Sequence, residues 1–352
     1  MKNIFIVFLL IFYSCDSNDT TNESSDTNEN IKNKPYVSYL TGSKTDLLTN
    51  PLGGICLMGG ATENDNAMTW FLERADGGDV LILRTSGSNG YNDYMYKTLG
   101  VQLNSVETIL IKNKEASYDT DIQDKIKKAE AIWFAGGNQW EYISFWRDTP
   151  ITTLINEAIE KRNVVIGGTS AGMAILGGYY FSAKNGTITS SEALNNPYDP
   201  NMTVENESFI KNHYLTNVIT DTHYDNPNRK GRHVTFLARI VKDFGVKAKG
   251  IACDESTAVC VETNGVATIF GKYPLYDDNA YFIKVNDELA NVIPENCTAN
   301  NPLTWNFDEK ALKVYAVKGT NLGTNTFDLT NWNEGSGGEW LYWYVDNGVL
   351  ND

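Results

Sequence analysis

From Gly53 onward the chain alternates between short, unbroken apolar runs and stretches with a helical period. Gly54–Met58 (GICLM), Asp79–Leu83 (DVLIL), Ser105–Ile111 (SVETILI), Ala131–Phe134 (AIWF) and Val164–Ile166 (VVI) read as strands buried on both faces. Between them, Ala67, Met68, Phe71, Leu72 and Ala75 share one helical face, as do Ile122, Ile126 and Ala129. Pro150 opens a further helix with Ile151, Leu154, Ile155, Ala158 and Ile159 on one side. Continuous apolar strands separated by amphipathic helices predict an α/β fold, a doubly wound, mostly parallel sheet flanked by helices. Such sheets bind ligands at the carboxyl ends of their strands, so the segments directly after each strand are where chemistry is expected.

The pattern changes after about residue 250. Ala258–Glu262, Val266–Phe270 and Tyr281–Val285 are short β-rich runs, followed by a tail rich in Trp, Asn and Gly. These predict extra strands at the sheet edge and a small β-rich C-terminal extension over residues 286–352, beside a main domain over 35–285. The N-terminus differs again. Lys2 precedes an apolar run, Ile4–Tyr13, too short to span a bilayer but matching the core of a signal peptide. Ser14-Cys15 closes it as lipoprotein signals do, which would make Cys15 the acylated first residue after processing. Residues 16–34 (DSNDTTNESSDTNENIKNK) are polar and nearly free of apolar side chains, so they predict a tether that cannot repay its ordering entropy. Together these predict a protein outside the cytoplasm, lipid-anchored to a bacterial membrane at the periplasmic or cell surface.

Charge narrows the partners. A formal net charge of −15 lacks the basic footprint that nucleic acid or an anionic lipid surface requires, leaving the lipid anchor as the membrane contact. Cys56, Cys253, Cys260 and Cys297 are too few for a disulfide framework; Cys253 and Cys260 flank a hairpin and could face each other, or act as small buried hydrophobes. With three histidines and neither a CxxC pair nor HExxH, neither a metal site nor a cofactor is expected.

The strongest chemical signal is Gly168-Thr169-Ser170-Ala171-Gly172, set between a strand and a helix. Glycines two positions either side permit the sharp turn that lifts a nucleophilic Ser above the sheet, with the Ala171 N–H placed to donate to an oxyanion. Alone, the motif also fits a Gly-rich turn with a capping Ser. A Ser nucleophile needs a base. His223 follows the strand-like Asn217–Thr220 and sits at a strand's carboxyl end; His233 opens a helical period and reads as a surface or first-turn residue; His213 has no strand before it. Asp254 or Glu255, after Gly250–Cys253, supplies the orienting carboxylate.

These pieces resemble the cyanophycinase and dipeptidase E group of serine peptidases, whose fold is like that of class I glutamine amidotransferases. The matching segments are Phe134–Gln139 (FAGGNQ), Gly168–Met173, Asp221-Thr222-His223 with Arg229 and Arg232, and Asp254–Ala258 (DESTA). They occur in the family's order and span roughly residues 50–285. The resemblance implies Ser170 as nucleophile, His223 as base and Glu255 as its orienter, with Gly137 and Ala171 N–H groups as the oxyanion hole. It implies that Gln139, Asp221, Arg229 and Arg232 line the substrate pocket. Thr222 and Pro227 depart from the family pattern, which has Gln and Arg there, so the implied activity is amide hydrolysis with an open preference for β-aspartyl-arginine units. The expected substrate is cyanophycin or a short aspartyl peptide, cleaved by an exopeptidase or isopeptidase that needs no cofactor; a homodimer is compatible with this. A non-catalytic binding lipoprotein of the same fold and an esterase-like hydrolase are the alternatives, whereas an amidotransferase would carry Cys at the elbow.

Overall fold

The apolar runs split by parity between two cores, which is why they read as continuous. In the computed structural model, which describes residues 34–206 and 209–352, Ile55 and Leu57 face one side of a sheet while Cys56 and Met58 face the other. Leu81, Leu83, Ile132 and Phe134 likewise oppose Val80, Ile82, Ala131 and Trp133. The signal run Ile4–Tyr13, Cys15 and the tether up to residue 33 lie outside the described residues.

The strands in chain order are β1 (Tyr36–Gly42), β2 (Ile55–Met58), β3 (Asp79–Arg84), β4 (Ser105–Ile111), β5 (Ala131–Phe134), β6 (Val165–Thr169), β7 (Tyr180–Phe181), β8 (Val204–Glu205) and β9 (Val218–Asp221). They continue with β10 (Lys249–Cys253), β11 (Ala258–Val261), β12 (Val266–Tyr273), β13 (Asn279–Val285), β14 (Leu312–Lys318), β15 (Asn325–Asp328), β16 (Gly335–Ser336), β17 (Gly338–Asp346) and β18 (Val349–Asn351). The helices are α1 (Asp65–Glu73), α2 (Gly90–Asp93), α3 (Thr120–Lys128), α4 (Gln139–Trp146), α5 (Pro150–Arg162), α6 (Ala171–Ala174), α7 (Ser190–Asn195) and α8 (Lys230–Phe244).

The first sheet runs β1-β4-β3-β5-β6-β2-β11-β12-β15-β16. Its centre, β4-β3-β5-β6-β2, is parallel, and β1 and β11 flank it antiparallel. Helices α3, α4 and α5 cover one face and α1 the other. Helix α1 starts where Asn64 accepts from the N–H groups of Asn66 and Ala67, both at 3.1 Å. It then buries Ala67, Met68, Phe71 and Leu72, the face read from the sequence. The Phe71 ring meets Trp133 edge-on at 5.1 Å, a pair of large apolar side chains each worth roughly 1.5–3 kcal/mol on burial.

A second sheet, β18-β17-β14-β13-β10-β9, was not read from the sequence. The runs at 258 and 266 do extend the first sheet's edge, but Tyr281–Val285 lies in β13, inside the second sheet between β10 and β14. An apolar run carries no label for its partner strand, so the two sheets are indistinguishable locally. Residues 286–352 supply β14, β17 and β18 to the second sheet and β15 and β16 to the first, with Phe327 stacked on Phe282 at 4.1 Å. Separation into two sheets also explains the thiols. Cys253 on β10 does not face Cys260 on β11; Cys260 instead opposes Cys56 across β2 with Sγ atoms 3.7 Å apart. Cys56, Cys253, Cys260 and Cys297 are all buried free thiols. Among the described residues no helix is long and apolar enough to cross a membrane.

Candidate active site

Ser170 sits in the turn between β6 and α6 with φ 53° and ψ −120°, a backbone state costing an L-residue about 1–3 kcal/mol. The neighbouring glycines make the turn possible. A side chain at Gly168 would lie 2.5 Å from the Gly172 carbonyl carbon, and one at Gly172 would strike the end of β5. Residue pairs so close tolerate only glycine.

The candidate base arrives from the other sheet. His223 follows β9, itself with φ 48°, and its N–H donates to the Gly59 carbonyl at 2.8 Å, tying the second sheet to the end of β2. Its Nε2 lies 2.9 Å from Ser170 Oγ, and its Nδ1 lies 2.6 Å from Glu255 Oε1. The pattern fixes the tautomer: Nδ1–H donates to the carboxylate, and Nε2 accepts from the Ser170 hydroxyl. Sequence reading set all three above a single sheet; the structure joins β6 of one sheet to β9 and β10 of the other. The hydrogen bond from His223 holds the Glu255 carboxyl below its ordinary range.

Between the two neighbouring acids the geometry is unambiguous. Asp254 is buried, and its Oδ2 accepts from the backbone and side-chain N–H of Asn279, both at 3.0 Å; burial pushes its carboxyl up to about 7. It anchors β13 and does not touch His223. The Glu255 N–H donates to Asp225 Oδ1 at 2.9 Å, so Asp225 fixes the backbone that presents the orienting carboxylate.

The other histidines fall away. His233 is fully buried, not a surface residue, because the first turns of α8 pack into the second core. It accepts from Tyr224 Oη and donates to the Ile219 carbonyl, each at 3.2 Å, and burial lowers its pKa to about 4. His213 precedes β9, at the strand's opposite end from His223.

Gly136 and Gly137 follow β5, and Gly136 lies against the elbow: a side chain on it would come 3.5 Å from Ser170 Cβ, whereas one on Gly137 would meet Tyr142 and Ser86. Tyr142 Oη holds this segment, sharing its hydrogen between the Ala135 and Gly136 carbonyls at 2.8 and 3.0 Å while its ring stacks on Trp146. Among the described residues the N–H groups of Gly137 and Ala171 have no acceptor, so both can donate to an oxyanion.

The four residues expected to line a substrate pocket divide. Asp221 and Arg232 are buried and bound to each other through Arg232 Nη2 and Nε at 2.5 and 2.9 Å. Burial alone would raise the Asp221 carboxyl, but the Arg232 charge wins and holds it below the usual range. Gln139 donates to the Phe181 carbonyl at 2.5 Å. Arg229 donates Nη1 to the Thr222 carbonyl at 3.0 Å and has no carboxylate within ion-pair distance among the described residues. Burial, then the nearby Arg232 charge, lowers its pKa. Sequence reading missed Gly59, Gly60, Asp225 and Tyr142. The Gly pair directly after a strand was a usable signal; the other two depend on contacts that only folding creates. Among the described residues no cluster of His, Cys, Asp and Glu could hold a metal ion.

Over 210 residues the chain is 23% identical to the cyanophycinase of Trichormus variabilis, covering 60% of this chain and 62% of that one, under two thirds of the relative's length. It is 26% identical to the cyanophycinase of Geminocystis herdmanii over 162 residues, 46% of this chain and 54% of that one. Among solved structures, a peptidase from an acI-B1 Actinobacterium superposes with a TM-score of 0.48 at 14% identity, covering 66% of this chain and 91% of that one. The profile of peptidase family S51 matches residues 84–269, more than half of the chain and all three members of the relay, and the chain belongs to that family.

Proposed function

We propose that the protein hydrolyses amide bonds of cyanophycin or short aspartyl peptides through a Ser170–His223–Glu255 triad. The observation that carries this is the unbroken relay of 2.9 and 2.6 Å from hydroxyl to imidazole to carboxylate. In the first step Ser170 Oγ attacks the amide carbonyl as His223 Nε2 takes its proton, and Glu255 stabilises the imidazolium. The oxyanion forms beside the Gly137 and Ala171 N–H groups. His223 then returns the proton to the departing amine, and water, deprotonated in turn by His223, cleaves the acyl-enzyme. Arg229, which makes no direct ion pair among the described residues although the charges of Asp221 and Glu255 lie near it, suits a substrate carboxylate with paired hydrogen bonds, which favours short peptides over mid-chain cleavage.

Incubating the full chain with cyanophycin and with α- and β-aspartyl dipeptides should release free amine. Turnover of simple acyl esters with none of the amides would instead favour an esterase. We further propose export and acylation at Cys15, resting on the sequence of residues 1–34. Membrane fractionation tests it: Cys15→Ser should move the protein to the soluble fraction, and an unchanged distribution would refute the anchor.

A further inference from the structure

We propose that the cleft between the loops after β2 and β3 is a leaving-side subsite that takes an uncharged aromatic side chain of the residue whose amine is released. This rests on the serine-peptidase reading above. The cleft has a volume of about 460 Å³ and is walled by Thr62, Glu63, Asp65, Arg84, Tyr91 and Tyr94 with glycine backbone between them. Both loops reach the catalytic centre. The first begins at Gly59 and Gly60, which hold the His223 backbone and pack on its imidazole; the second brings Ser86 Oγ to 3.6 Å of where a Gly137 side chain would start. The cleft therefore lies further along the two loops that begin at the His223 contact and at the Gly137 turn, and an extended substrate leaving past His223 would reach it.

Its charged groups are already engaged. Glu63 accepts from the Tyr91 hydroxyl, and Asp65 Oδ1 from the Tyr94 hydroxyl at 2.7 Å. Arg84 donates Nε and Nη1 to the Ser86 and Ser88 carbonyls at 2.5 and 2.6 Å. What remains for a guest is the two half-buried tyrosine rings, 6.5 Å apart and tilted 56°, with Tyr91 backed edge-on by Trp133. A neutral aromatic ring needs no counter-charge where Arg84, Glu63 and Asp65 are already bound to protein groups, and it gains stacking on the tyrosine rings. Such pockets, mostly apolar with a few oriented polar groups, are the usual form of side-chain subsites.

The test compares kcat/KM of the full chain for aspartyl dipeptides with Phe, Arg or Gly as the leaving residue. Phe should exceed Gly by about tenfold or more. Tyr94→Ala should cut that ratio about tenfold, and Thr62→Trp, at an exposed rim position that does not enter the core, should cut it by filling the cleft. Arg or Gly cleaved as well as Phe, or a ratio unmoved in both variants, overturns the subsite. Should wild type cleave none of these, fluorophosphonate labelling of Ser170 decides the peptidase reading, and calorimetry on the Ser170→Ala chain decides the subsite. There, Asp-Phe binding about tenfold tighter than Asp-Gly and Asp-Arg supports it, and equal or weaker binding overturns it.

Discussion

Replacing Gly60 by alanine probes how the end of β2 positions His223, the proposed base. Gly60 has φ +115°, and an added Cβ would fall 2.5 Å from His223 Cε1 and nearer still to Nε2, where ordinary contact begins at 3.4 Å. Backbone on both sides is pinned, since the Gly59 carbonyl receives the His223 N–H at 2.8 Å and the Gly60 carbonyl the Ser256 N–H at 3.0 Å. Nε2, at 2.3 Å, is the nearest atom, so the imidazole must yield by about 1.1 Å to reach 3.4 Å. A misplacement of about 1 Å in a catalytic group costs on the order of 10²-fold in rate, or ~2.7 kcal/mol of barrier. The positive φ adds roughly 1–2 kcal/mol of folding strain. Gly245→Ala separates the two effects, because Gly245 caps α8 with φ +68° and has nothing within 4 Å of its would-be Cβ. Steady-state kinetics with thermal melts should show both variants losing stability and only Gly60→Ala losing about 10²-fold in kcat. A folded Gly60→Ala protein within about threefold of wild type would refute the reasoning, since a shift near 1 Å should cost far more.

Two other outcomes follow from the same site. Glu255→Gln keeps the shape at 2.6 Å but can present N–H to Nδ1, turning the imidazole to the wrong tautomer; kcat should fall about 10²–10⁴-fold with KM little changed, and an unchanged kcat would shift the orienting role elsewhere. His233 links pH to stability: its folded pKa of about 4 lies below the unfolded value near 6.5, so between them only the unfolded chain takes the proton. Stability should be fullest above pH 6.5 and decline as pH drops toward 4, by about 3 kcal/mol. Urea unfolding of wild type and His233→Gln at several pH values checks this, and equal slopes in the two proteins would contradict it.

The elbow was legible because its requirement is local: two glycines at fixed spacing around a Ser, between a strand and a helix. The central strands were legible too, and Ser105–Ile111 and Ala131–Phe134 keep the bounds their apolar runs suggest. The second sheet was hidden because β9, β10 and β13 look like any buried strand until their partners are known. Strand β14 mixes buried and half-buried positions, and β17 buried, half-buried and exposed ones, within a tail rich in Trp, Asn and Gly, which reads as irregular. Asp254 and Glu255 were inseparable as neighbouring acids. Only the bend after them, with Ser256 at φ 57°, and the pairing of Asn279 with Asp254 send one into the core and the other to the imidazole. His233 does sit in a helix's first turn, but that turn is covered by the second sheet, so the surface alternative fails.

Intact-mass analysis after treatment with a fluorophosphonate tests the relay most directly, since the reagent reports an activated serine whatever the natural substrate. Wild type should gain one adduct mapped to Ser170, Ser170→Ala none, and His223→Ala should label at least about 10²-fold more slowly. Labelling at the same rate without His223, or an adduct on another serine, would contradict a nucleophile at Ser170 activated across the two sheets.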